Sequence, residues 1–104
     1  MDNITKEDFQ KLREKYPNRF PVIVEKNKKC QNLQDIDKKK FLVPEDLTVG
    51  QFVYIIRKRI KLEPSEALYL YCNNTLPSTS VLMSSVCSHD DFTYFTYSKE
   101  NTFG

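Results

Sequence analysis

Few residues in this chain offer chemistry: three cysteines (Cys30, Cys72, Cys87), a single histidine (His89) and a terminal glycine, Gly104. An odd number of cysteines, without a Cys-x-x-Cys spacing or paired histidines, argues against a disulfide framework and a zinc site. It points instead to a reducing compartment. A catalytic thiol needs a lowered pKa and a general base. Lys28 and Lys29 would favour the Cys30 thiolate, but His89 is the sole imidazole to serve it. Cys72 and Cys87 read as small buried hydrophobes. The expectation is a protein that is not an enzyme and needs neither cofactor nor metal. Gly104 is different: without a Cβ, its carboxylate can enter a narrow channel closed to other residues.

The elements that position these groups begin with a helix. Thr5-Lys6-Glu7-Asp8 fits a capping box, Ile4 and Phe9 stand at the hydrophobic-staple positions, and Phe9, Leu12 and Tyr16 form an apolar stripe that Pro17 ends. Phe20 to Glu25 reads as a β-branched strand, with Pro21 near its start or on an unpaired side. A polar stretch from Lys26 to Lys38 turns the chain into a second strand, 39–43, closed by Pro44. Thr48-Val49-Gly50-Gln51 is a second capping box, with Leu47 and Phe52 as its staple. Phe52, Ile56 and Ile60 recur every fourth position with Val49, Val53 and Ile55 beside them, and Arg57, Lys58, Arg59 and Lys61 suit the negative end of the helix dipole. Residues 68–72 alternate as a strand up to the turn pair Asn73-Asn74, 80–87 predict a short helix, and 92–97 the last strand.

This order is α+β: ββαββ with a short extra helix, preceded by one N-terminal helix. The pattern suggests a ubiquitin-like β-grasp roll, with 1–104 as a single ubiquitin-like domain, 1–17 as its N-terminal helical extension and 99–104 as a flexible C-terminal tail. The longest apolar run, Ala67 to Cys72, is far too short to span a bilayer, and the first residues hold no apolar secretion signal. Membrane residence would need something added. The net charge of +2 hides an asymmetry: residues 1–61 carry +6 and 62–104 carry −4. A basic half can steer acidic peptides, nucleic acid or anionic lipid, and charge alone does not choose among them.

The run Lys38-Lys39-Lys40-Phe41-Leu42-Val43-Pro44-Glu45-Asp46-Leu47-Thr48-Val49-Gly50-Gln51-Phe52 resembles the autophagy ubiquitin-like modifiers. These are the relatives of microtubule-associated light chain three and of the GABA-receptor-associated protein. Ile56-Arg57-Lys58-Arg59-Ile60, the stretch from Lys15 to Lys26, Asn73-Asn74, Leu76-Pro77 and Phe103-Gly104 extend the resemblance over nearly the whole chain. It implies two adjacent pockets for an aromatic-x-x-aliphatic peptide. The first, for the aromatic residue, would comprise Asp8, Leu12, Pro21, Ile23, Lys40, Leu42 and Phe92. The second, for the aliphatic residue, would comprise Phe41, Val43, Pro44, Leu47, Phe52, Ile55 and Arg59. Asp8 and Leu12 replace the more usual Glu and Ile, while Phe41 and Ile55 stand where Tyr and Leu are frequent. These mild changes retune the pockets without abolishing them. Taken singly, Leu42, Val43, Phe52 and Ile55 would look the same as plain core.

Strand alternation is compatible with that assignment, because Lys40 and Leu42 serve one side and Phe41 and Val43 the other. If the strand's outer edge is unpaired, it can accept an extended peptide as another strand, with Lys38, Lys39 and Lys40 favouring acidic ones. The resemblance further implies conjugation of Gly104 to phosphatidylethanolamine by an activating and a conjugating enzyme. It also implies a processing and deconjugating cysteine protease, cargo receptors bearing the motif, and a cytoplasmic protein that joins the autophagosome membrane through its lipid. Family members usually have two helices before the first strand, and the residues before Tyr16 leave room for one. Two other readings compete: a peptide-binding adaptor that is never conjugated, and a nucleic-acid binder. The second ranks last, because the basic residues lack the interleaved aromatics of an RNA-reading sheet.

Overall fold

The computed structural model describes residues 6–28, 33–73 and 75–99. The elements run α1 (Lys6–Lys15), β1 (Arg19–Lys26), β2 (Lys40–Pro44), α2 (Val49–Arg59), β3 (Tyr69–Cys72), α3 (Met83–Val86) and β4 (Thr93–Ser98). Pro44 belongs to β2 instead of ending it, and the short third helix is narrower than its apolar spacing predicts. Thr5 and Ile4, the expected cap and staple of α1, lie outside the described residues, as do Cys30, Asn74 and Gly104.

The four strands form one sheet in the order β2-β1-β4-β3. The central pair, β1 and β4, is parallel, and the two outer pairs are antiparallel. A parallel neighbour demands a crossover, and α2 lies within it. This is the mixed sheet of a β-grasp roll.

α2 begins where its capping box is found. Gln51 N–H donates to Thr48 Oγ1 at 3.1 Å, and Thr48 N–H donates to Gln51 Oε1 at 2.9 Å. Such a cap contributes about 0.5–2 kcal/mol. Val49, Phe52 and Ile56 face the sheet, where they meet Phe20, Val22, Val24, Phe41, Val43, Leu70, Phe95 and Tyr97 in the main core. The stripe omits Ile55, which is 36% exposed and so stands off the core face. On the opposite sheet face, α1 lays Phe9 and Leu12 on Ile23 and Phe92.

Part of the stretch read as a polar turn is core. Leu33 and Ile36 are buried in the main cluster. Their segment is tied down by the Tyr97 hydroxyl donating to Gln34 O at 2.7 Å and by an ion pair between Lys26 and Asp35. The turn after β3 has Asn73 at φ 52°, a left-handed conformation that Asn tolerates better than most residues.

Candidate functional site

The strand β2 has one neighbour, β1, so its outer edge is unpaired within the described sheet. Val24 N–H donates to Lys39 O at 2.7 Å, and the register pairs Val22 with Phe41 and Phe20 with Val43. An antiparallel ladder turns alternate residues toward the partner and away from it. The backbone groups of Lys40 and Leu42 therefore point outward, to the free edge. Leu42 O accepts only a long 3.4 Å bond from the Arg19 guanidinium, which an incoming amide can displace. The same parity explains Pro21. It sits opposite Leu42, where its missing N–H is not needed by β2, and the parallel ladder to β4 starts one residue later at Val22.

Pro21, Ile23, Lys40 and Leu42 share one face of the sheet by this register, the face that carries α1. Phe92 and Ile23 are buried there, and Phe9 meets Phe92 edge-on with ring centroids 5.6 Å apart. Asp8 and Leu12, one helical turn apart, are half-buried. Leu12 packs on the buried Phe9, Ile23 and Phe92, and Leu42 and Lys40 share that face by register with their side chains accessible. The sequence places Phe9 in the helix stripe and, with Ile4, at a staple position, but not in the peptide site. Its position next to Asp8, one turn before Leu12 and Arg13, is the signal that placed it under this surface.

On the other face, Phe41, Val43 and Phe52 belong to the main core at 7%, 3% and 0% exposure. Phe41 packs edge-on against Phe52 at 5.4 Å. Leu47 is half-buried against the same cluster, whereas Ile55 and Arg59 reach solvent. Two cations cover the Phe41 ring: Lys38 Nζ at 5.2 Å and the Arg59 guanidinium carbon at 5.5 Å. Arg59 is also paired with Asp37. Pro44 ends β2 with the parity of Lys40 and Leu42, so alternation alone does not seat it beside Phe41 and Val43. Lys38, Lys39 and Lys40 are all exposed along the approach to the edge.

The described thiols sit away from this surface. Burial raises Cys72 above its ordinary pKa and pushes Cys87 up to about 12. A thiol held protonated is a poor nucleophile. His89 stacks edge-on against Phe20 at 5.1 Å, with neither described cysteine paired to it. Among the described residues no cluster of three or more His, Cys, Asp or Glu side chains is arranged to hold a metal ion. None of the described helices is long and apolar enough to cross a membrane.

The family model described as "Autophagy protein Atg8 ubiquitin like" matches residues 5–104. Autophagy-related protein 8B of rice (Oryza sativa subsp. indica) is 57% identical over 101 residues, covering 93% of this chain and 84% of that protein. Autophagy-related protein 8 of Schizosaccharomyces pombe is 56% identical over 103 residues, covering 95% and 84% respectively. The crystal structure of Trypanosoma brucei ATG8 superposes with a TM-score of 0.82 at 44% identity, covering 95% of this chain and 88% of that one.

Proposed function

The chain belongs to the Atg8 family of autophagy-related ubiquitin-like proteins, and on that premise we propose that it is a modifier joined through Gly104 to phosphatidylethanolamine. In the same reading it is an adaptor that takes aromatic-x-x-aliphatic peptides on the free edge of β2. It acts in autophagosome formation, in the cytoplasm and, once lipidated, on the autophagosome membrane.

The observation that carries the adaptor reading is the free edge flanked by apolar residues on both faces. An extended peptide added to β2 alternates its side chains as the strand does. Residues three apart therefore point to opposite faces, about 10 Å from one another along the strand. One anchor meets Leu12, Leu42 and the Ile23–Phe92 floor, and the other meets Leu47, Ile55 and the Phe41–Phe52 floor. An even spacing would send both anchors to one side. The outward backbone groups of Lys40 and Leu42 supply the ladder, and the exposed lysines favour acidic sequence around the anchors.

Conjugation chemistry is assigned to partners. An activating and a conjugating enzyme carry the Gly104 carboxyl through thioesters to the amine of the lipid, and a cysteine protease processes and releases it. Two acyl chains give stable anchoring, since each buried methylene contributes about 0.8 kcal/mol.

Two measurements test the proposal separately. Leu42→Asp places a carboxylate where an apolar anchor packs, and should weaken a labelled aromatic-x-x-aliphatic peptide at least about tenfold in a titration. Unchanged affinity rejects the groove. With reconstituted enzymes, Gly104→Ala should fold normally and fail to convert to the lipid-bound form. Undiminished conversion rejects conjugation, and peptide binding without any thioester would identify a non-conjugated adaptor.

A further inference from the structure

The cover over Phe41 is held by a carboxylate of the protein's own. Asp37 Oδ1 lies 3.3 Å from Arg59 Nη1, a long contact between side chains that are 69% and 37% exposed. Arg59 in turn lies over the Phe41 ring, with Lys38 on the same ring. Asp37 sits in the segment that Leu33, Ile36 and the Tyr97–Gln34 bond fix to the core, so its carboxylate is presented from a backbone that does not need to move. An exposed ion pair of this kind is held weakly, so a carboxylate arriving with a ligand can compete for the same guanidinium.

We infer that Asp37 occupies the site of a ligand carboxylate, and that it thereby sets which peptides the β2 edge accepts. The inference rests on the groove reading above and deepens it by naming one position of the peptide. If the aromatic anchor at position i points to the α1 face, then i+1 and i+3 point to the α2 face, and i+2 points back. Arg59, Lys38 and Asp37 stand on the α2 face. A peptide carboxylate at i+1 takes the Arg59 guanidinium from Asp37, while one at i+2 faces the other way. Asp37 therefore selects against an acidic residue at i+1 by competing for the same donor and by like-charge repulsion.

The test uses the full chain and three synthetic peptides that differ at one residue: Glu at i+1, Gln at i+1, and Glu at i+2 with Gln at i+1. Asp37→Asn removes the competing charge with nearly the same shape, and an exposed ion pair is too weak for its loss to unfold the protein. The variant should bind the i+1 Glu peptide about two- to fivefold tighter than the wild-type chain does, as the release of a surface pair allows. The other two peptides should bind it as they bind the wild type. The gain should vanish near 1 M salt, where the Debye length is about 3 Å. Asp37→Glu should restore the wild-type pattern. An equal gain for all three peptides, no gain, or a loss overturns the role of Asp37. Failure of the wild-type chain to bind any of the three would instead overturn the groove on which it rests.

Discussion

Phe52 and Ile55 stand three residues apart on α2, both assigned to the aliphatic pocket, and the structure gives them opposite burdens. Phe52 has no solvent exposure and packs edge-on against Phe41 and Phe95, at 5.4 and 5.9 Å between centroids. Truncating such a ring costs about 3–5 kcal/mol, transfer and cavity together. A domain of this size is stable by only about 5–15 kcal/mol, so Phe52→Ala removes about a fifth of the total at the least. With a urea m-value near 1.5 kcal/mol per M, the unfolding midpoint should drop by about 2–3 M. Ile55 is 36% exposed and should cost under about 1 kcal/mol as Ala. Its effect should appear in peptide titration, where losing about 1 kcal/mol of apolar contact means roughly a fivefold weaker Kd. Urea unfolding followed by circular dichroism, beside fluorescence titration of both variants, separates the two roles. A Phe52→Ala midpoint within 0.5 M (about 0.75 kcal/mol at that m-value) of wild type would refute the reasoning. So would an Ile55→Ala variant as unstable as Phe52→Ala with peptide binding intact.

Three further outcomes follow from the packing and the titration of the core. Gly50→Ala should lower Tm by a few degrees despite the better helix propensity of Ala, because an added Cβ would stand 3.1 Å from Thr79 O and 3.2 Å from Thr79 Cβ. That clash disturbs the loop that accepts from Gly50 and Val49 N–H at 2.9 Å each, and a raised Tm would reject it. In a Cys30→Ser background, Cys72 and Cys87 should resist a thiol reagent at pH 8 until the chain unfolds; rapid native labelling would contradict their burial. The Cys87 thiol, raised from 9 to about 12 in the fold, keeps its proton in a window where the unfolded chain has lost it. Stability should therefore fall as pH rises from about 9 toward 12, with no contribution below 9. Cys87→Ala, less stable at neutral pH, should show the shallower alkaline decline in urea titrations.

Much of this arrangement was written in local grammar. The Thr48–Gln51 box involves residues three apart, so its hydrogen bonds could be read before any fold was known. Alternation in β2 likewise assigned Lys40 and Leu42 to one face and Phe41 and Val43 to the other without tertiary information. Depth was another matter. Nothing in the spacing of Phe41, Val43 and Phe52 distinguishes a residue that floors a pocket from one sealed in the core, because both are apolar at the same period. Leu33 and Ile36 were hidden for a different reason. Two isolated apolar residues in a polar stretch have no period, and the segment that buries them is tied by Gln34 to Tyr97, 63 residues away. The Asp37–Arg59 pair spans 22 residues and is equally silent at the level of sequence.

A free strand edge is a hazard as well as an opportunity, since any extended chain can pair with it, including another copy of the same protein. Here β2 is only five residues long, Lys38, Lys39 and Lys40 lead into it, and Arg19 reaches across to Leu42 O. Each of these discourages self-pairing: two copies brought edge to edge would oppose their lysines, and each would have to displace an arginine. An acidic peptide meets the reverse situation, because the same lysines attract it and the 3.4 Å arginine contact is weak enough to yield. Protection against aggregation and selection of partners are therefore one electrostatic arrangement, acting with opposite sign on like and unlike charge. The α1 and α2 faces then add what charge cannot, a separation of anchors that only an odd spacing along an extended chain can satisfy.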